Sequence, residues 1–198
     1  MSVPTAFDDE PRDLPPAIEA IEAEARSMGF QLSSDRRTGA LLRALAASKP
    51  GGDLLELGTG AGVGTSWILH GMDAGSRLVT VDFDTKVSAV PRRHLAPDPR
   101  VTFIDRDAAE FLRSASPGSF DLNFADAPPG KIVDLDLALD LLRPGGIYVV
   151  DDLLPQPSWP AGHGSLVADF LDRLALRRDL VTCSSGWSTG LLIGVKTG

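Results

Sequence analysis

The chain has 198 residues, 43% of them hydrophobic and 23% charged, with a net charge of −8. That length and balance fit one domain with a sizeable core, and they exclude a mostly disordered, collagen-like or disulfide-stapled chain. An acidic chain with 6% aromatics also lacks the basic footprint and stacking platform of a nucleic-acid binder, so no nucleic-acid partner is expected.

Residues 1–30 hold seven acids (Asp8, Asp9, Glu10, Asp13, Glu19, Glu22, Glu24) against Arg12 and Arg26, a net −5 that leaves −3 for the other 168. Residues 1–13, with Pro4 and Pro11, read as a frayed, solvated arm. A partner-docking arm is the alternative, and the acidic N-terminus could cover a second copy of the chain in a homodimer. The arm has no apolar run, so a signal peptide is not expected, and no stretch approaches the roughly 18 apolar residues of a membrane span. The compartment expected is the cytoplasm, with no membrane partner.

Pro15 and Pro16 open a helix near 15–28, where Ile18, Ile21 and Ala25 share a face and Gly29 stops it. Ser34 or Asp35 caps a second helix whose apolar stripe is Leu41, Leu42, Leu45 and Ala46. From residue 53 short apolar runs alternate with helical stretches. Strands are expected at 53–58, 77–82, 100–104, 120–125 and 146–151, with helices near 64–71, 85–95, 107–114 and 131–142. That alternation is the signature of an open parallel α/β sheet with helices on both faces, Rossmann-like in class. Ile147-Tyr148-Val149-Val150 is continuously apolar, as burial on both faces requires. Residues 152–164 form a long loop restrained by three prolines and Trp159. A helix near 165–176 follows, then strands at 180–184 and 190–195, close enough for an antiparallel hairpin. Cys183, the only cysteine, falls in the first of these and reads as a small core residue. Residues 1–50 are thus an acidic arm with helices, and 51–198 one structural unit.

Glu56-Leu57-Gly58-Thr59-Gly60-Ala61-Gly62 carries a buried strand into a glycine loop and then a helix. Glycines there let the backbone approach a ligand, and the helix offers free N–H groups. A ligand-free turn is the bland alternative, but it does not need so many glycines. The dinucleotide pattern G-x-G-x-x-G fails, because the required position is Val63 counted from Gly58 and Thr65 counted from Gly60. The phosphate-loop pattern fails around Gly130-Lys131, and no G-x-S-x-G elbow is present.

The remaining pattern, Glu56-x-Gly58-x-Gly60-x-Gly62, resembles the first motif of class I S-adenosylmethionine-dependent methyltransferases, and the similarity runs over roughly residues 50–196. Asp82 ends the second strand, where the family has an acid for the ribose hydroxyls. Asp107 and Ala108 follow the third strand, where the family borders the adenine. Asp126 ends the fourth strand, and the turn 142–146 precedes the fifth. The resemblance implies strand order 3-2-1-4-5-7-6 with strand 7 antiparallel, S-adenosylmethionine as cofactor, and Glu56, Gly58, Thr59, Gly60, Gly62, Asp82, Asp107, Ala108 and Asp126 around it.

Within that superfamily the chain is similar to small bacterial O-methyltransferases of the catechol type. The likeness implies methylation of a small-molecule hydroxyl, with a metal held by Asp126, Asp151 and Asp152. Three carboxylates at two strand ends suit Mg²⁺, and a cation stabilises an acceptor oxygen that must lose its proton. The sequence departs from that pattern twice. Asp152 stands where the group has Asn, and Ala127-Pro128-Pro129-Gly130 intervenes before Lys131. The alternative is a metal-free pocket, with Lys131 or His163 beside Asp126 as candidates for proton transfer. His163 could equally cap or pack its loop. Trp159 could wall a pocket, and Trp187 reads as core. His70 and His94 read as surface groups. The competing function is an S-adenosylmethionine-binding protein without transferase activity.

Overall fold

The computed structural model describes residues 11–198. Pro4, Asp8, Asp9 and Glu10 of the expected arm lie outside the described residues.

Seven strands make one sheet in the order β3-β2-β1-β4-β5-β7-β6. They are β1 (Asp53–Leu57), β2 (Arg77–Asp82), β3 (Val101–Asp105), β4 (Phe120–Ala125), β5 (Leu142–Val150), β6 (Leu180–Ser185) and β7 (Leu191–Lys196). β1 to β5 pair in parallel, and β7 runs antiparallel to both of its neighbours. This is the order and the reversed strand that the sequence resemblance implied. Five residues join β6 to β7, a connection only an antiparallel pair can use.

Successive residues of the central strands face opposite sides. Leu55, Leu57, Tyr148 and Val150 enter one core cluster; Leu54, Leu122, Phe124 and Val149 enter the other. Both faces of β1, β4 and β5 are therefore covered, which is why those strands read as unbroken apolar runs. The first cluster is closed by α5 (Ala108–Ser114), α6 (Leu135–Asp140) and α7 (His163–Ala175), the second by α1 (Ile18–Ser27), α2 (Arg36–Ala47), α3 (Val63–Gly71) and α4 (Ala89–Leu95). In α1 the buried face is Ile18, Ile21 and Ala25, as its spacing predicts. Asp35, not Ser34, caps α2, its carboxylate accepting from the N–H groups of Arg37 and Thr38. No helix among the described residues is long and apolar enough to cross a membrane.

Several sequence expectations need correction. The helix expected at 131–142 is only Leu135–Asp140, because residues 128–133 turn back on themselves and Asp134 enters at φ +55. The turn expected at 142–146 lies inside β5. Leu142 pairs with Phe120, and the register then shifts before Leu122 meets Ile147, so the glycines form an irregularity within the strand. The helix expected from 85 starts at Ala89, after a turn held by the Asp84 carboxylate and main chain. Cys183 is exposed, because β6 is the edge strand and only Leu180 of it is buried. Trp187 is 37% exposed on the β6–β7 turn rather than in the core. His70 and His94 are half-buried, facing Asp13 and Glu24.

Candidate active site

β1 ends at Leu57 and the chain turns through residues 58–62 into α3. Gly58 stands at φ +101, and a Cβ there would lie 3.1 Å from the main chain of Asp126. Glycine thus lets the loop lie against the end of β4 at the point where strand order reverses, the usual ligand crevice of such sheets. A cavity of about 350 Å³ opens there. Glu56, Gly58, Thr59, Gly60, Asp82, Asp107, Ala108 and Asp126 line it. Gly62 does not; it serves as the left-handed cap of α3.

The polar groups of the cavity are held in place. Oε2 of Glu56 accepts the hydroxyls of Thr65 and Thr80 at 2.5 and 2.6 Å, and Thr59 lies 2.6 Å from Thr80. Burial raises the Glu56 carboxyl to about 7, against the pull of those hydroxyls. Asp82 accepts the N–H of Gly60 at 2.8 Å on one oxygen and that of Asp84 at 2.9 Å on the other. A carboxylate has about four acceptor sites, so both oxygens retain capacity toward the cavity. Asp107 caps α5 through Ala109 and Glu110.

The opposite wall was not legible in the sequence. Residues 30–34, between α1 and α2, pass over the cavity, and Phe30, Leu32 and Ser34 line it. Ser34 donates to Oδ2 of Asp126 at 3.0 Å. Phe83 and Val87, after β2, supply apolar surface on the side of Asp82. The only sequence signal for Phe83 is its place directly after a strand-ending acid.

Asp126 lines the cavity, whereas Lys131, Asp151 and Asp152 do not. Burial pushes the Asp126 carboxyl well up; Lys131 opposes that, and Asp151 and Asp152 add to it. Burial also raises Asp151, whose Oδ1 accepts the Asp152 N–H at 2.8 Å and the Thr189 hydroxyl. Asp152 turns the chain at φ +60. Lys131 Nζ donates to the main-chain oxygen of Asp151 at 3.0 Å. These residues do not fit the metal that the catechol-type resemblance implied. Oδ2 of Asp126 and Oδ1 of Asp151 already carry hydroxyl and N–H donors, and the Lys131 ammonium is bonded to the main chain of Asp151. Among the described residues no group of three or more His, Cys, Asp or Glu is arranged to hold a metal ion. His163 stands apart from the cavity, at the first turn of α7, with its ring edge-on to Trp159 at 4.7 Å.

A family model described as a methyltransferase domain matches residues 55–153. A Mycobacterium avium (strain 104) protein whose name proposes an O-methyltransferase is 34% identical over 140 residues, 67% of this chain and 63% of that protein. The matched stretch is thus less than two thirds of the relative's length. The O-methyltransferase TomG of Streptomyces achromogenes, solved in complex with SAM, superposes with a TM-score of 0.80 at 25% identity, over 98% of this chain and 94% of TomG. A methyltransferase from Geobacter sulfurreducens superposes at 0.79, also at 25% identity and over 98% and 94% of the two chains.

Proposed function

The chain belongs to the methyltransferase-domain family, and on that premise we propose that it transfers a methyl group from S-adenosylmethionine to an oxygen of a small molecule. The observation that carries the reading is one cavity at the switch point that gathers Glu56, the glycine loop, Asp82, Asp107 and Asp126. Its walls suit this cofactor. Gly58 leaves the room a Cβ would take, Asp82 offers a fixed carboxylate for a pair of ribose hydroxyls, and Phe83 and Val87 offer an apolar face for a base.

When bound, the cofactor supplies an electrophilic methyl carbon: the acceptor oxygen bonds to it while the S–C bond breaks and its electron pair stays on sulfur, leaving S-adenosylhomocysteine. The protein's own share is alignment and proton handling. Asp126 faces the cavity with a carboxyl raised by burial, which makes it the group to take the acceptor's proton. Lys131 acts behind it, and His163 has no part. The strap 30–34 lines the same cavity.

Cytoplasmic work, a homodimer and indifference to nucleic acids rest on composition and on the acidic helical N-terminus; light scattering tests the dimer. The cofactor reading is tested by melting the protein with S-adenosylhomocysteine and, separately, with NADH. S-adenosylhomocysteine is expected to raise the melting temperature by mass action. Stabilisation by NADH alone would sink the reading. Transfer itself is tested by following radiolabelled methyl onto a panel of hydroxyl compounds.

A further inference from the structure

Lys131 is 5% exposed. Lysines normally keep the ammonium in water, so this one is held inside by its surroundings. After β4 the chain doubles back: the N–H groups of Lys131 and Val133 both reach the oxygen of Pro128, at 3.3 and 3.1 Å, and Gly130 N reaches Val133 O at 2.7 Å. The buried Tyr148 of β5 donates its hydroxyl to Gly130 O. The turn thus directs Lys131 to the ends of β4 and β5, where Nζ meets the main chain of Asp151. Its charge also acts on Asp126, holding that carboxyl down against burial.

One oxygen each of Asp126 and Asp151 already has a protein donor. Asp151 Oδ1 takes Thr189 and Asp152, and Asp126 Oδ2 takes Ser34. A divalent ion here would face the like charge of the buried Lys131 ammonium. Without any cation, Asp126, Asp151 and Asp152 would repel one another.

We propose that Lys131, buried and fixed on the main chain of Asp151 at the ends of β4 and β5, is the resident cation of this carboxylate cluster, a positioning residue that stands in place of a divalent metal, so that the chain requires no metal ion. The proposal rests on the methyl-transfer reading for what Asp126 then does, but not for the cation itself. It goes beyond that reading in excluding the ion the catechol-type resemblance implies, on the ground of the residues that occupy its place.

The test is uptake of Mn²⁺, followed by the electron paramagnetic resonance signal of the free ion, on the full chain with S-adenosylhomocysteine present. The wild type is expected to leave the signal unchanged at millimolar Mn²⁺. Lys131→Met, which keeps most of the stem and removes the charge, is expected to take up one Mn²⁺ per chain. A merely structural lysine would lower stability without creating an ion site. Uptake of one Mn²⁺ per chain by the wild type, abolished in Asp126→Asn, overturns the proposal, and that result does not depend on how Lys131→Met folds. A folded Lys131→Met that takes up none also overturns it. The S-adenosylhomocysteine melting shift, read on the same samples, reports on the methyl-transfer reading separately.

Discussion

The hydroxyl of Ser34 donates to Oδ2 of Asp126 at 3.0 Å, a contact between residues 92 positions apart. It joins the strap over the cavity to the carboxylate at the cavity's end. The strap is held from a second side as well. Asp35, which caps α2, accepts the hydroxyl of Ser188 at 2.6 Å, and Thr38 lies 2.9 Å from the same hydroxyl. Ser188 belongs to the β6–β7 turn, whose next residue, Thr189, donates to Asp151. The N-terminal helices, the final hairpin and the two strand ends are thus one hydrogen-bonded rim.

Ser34→Ala removes one partner from a half-buried carboxyl without touching the glycine loop. Stability to urea is expected to fall by about 1 kcal/mol, the usual net worth of one hydrogen bond. S-adenosylhomocysteine is expected to dissociate faster, because the strap loses its tie to Asp126. Stopped-flow release at an unchanged rate would show that the strap does not retain the cofactor.

Asp82 both fixes the glycine loop and faces the cavity. Asp82→Ala is expected to weaken S-adenosylhomocysteine binding by roughly 1.5–3 kcal/mol, the scale of hydrogen bonds to a charged group. Asp82→Asn keeps one acceptor oxygen and is expected to fall between the two in calorimetric titration. Equal affinity in all three proteins would remove Asp82 from the cofactor site.

The alternation of strands and helices was legible because β1, β4 and β5 bury both faces and leave unbroken apolar runs. The glycine loop was legible because its residues are contiguous. Cys183 and Trp187 misled because small or aromatic character does not say whether a strand lies at the edge of the sheet. The turn at 142–146 misled because a glycine pair inside a bulged strand looks the same as one before a strand. The strap 30–34 left no signal: Ser34 matters through Asp126, and nothing local marks that pairing. The inward path of Lys131 likewise depends on Tyr148 and Pro128, which spacing does not connect.

Gly130 holds φ +89, and a Cβ there would come to 2.5 Å from Cδ1 of Leu57. Gly130→Ala therefore combines a left-handed backbone with a core clash, and is expected to cost about 2–4 kcal/mol. Gly118 is also left-handed, at φ +65, but a Cβ there meets nothing within 4 Å. Gly118→Ala is expected to cost only about 1 kcal/mol. Equal losses in urea unfolding would mean that the 127–133 turn yields to the new methyl.

Glu56 gives the unliganded protein a pH dependence of definite sign. Its carboxyl is raised from 4.5 to about 7 by burial. Below pH 4.5 it is protonated both folded and unfolded, so its contribution is fully present. Between 4.5 and about 7 the unfolded chain loses the proton while the fold retains it, and stability falls as pH rises. The total loss is about 3 kcal/mol at 1.36 kcal/mol per pH unit, and it levels off above pH 7. Asp126 and Asp151, also raised, act in the same direction. Carboxyls held low by partners, such as Asp98 beside Arg100, act in the opposite direction but only in more acidic solution. Urea unfolding from pH 5 to 8 is expected to show the decline in the wild type and a shallower one in Glu56→Gln. A cationic ligand favours the ionised carboxylate, so the preference for S-adenosylmethionine over the neutral-sulfur S-adenosylhomocysteine is expected to grow as pH rises through 7, and to lose that dependence in Glu56→Gln. A flat stability profile in the wild type, or the same slope in Glu56→Gln, would mean that Glu56 is ionised in the fold throughout and that its hydroxyl partners, Thr65 and Thr80, outweigh its burial.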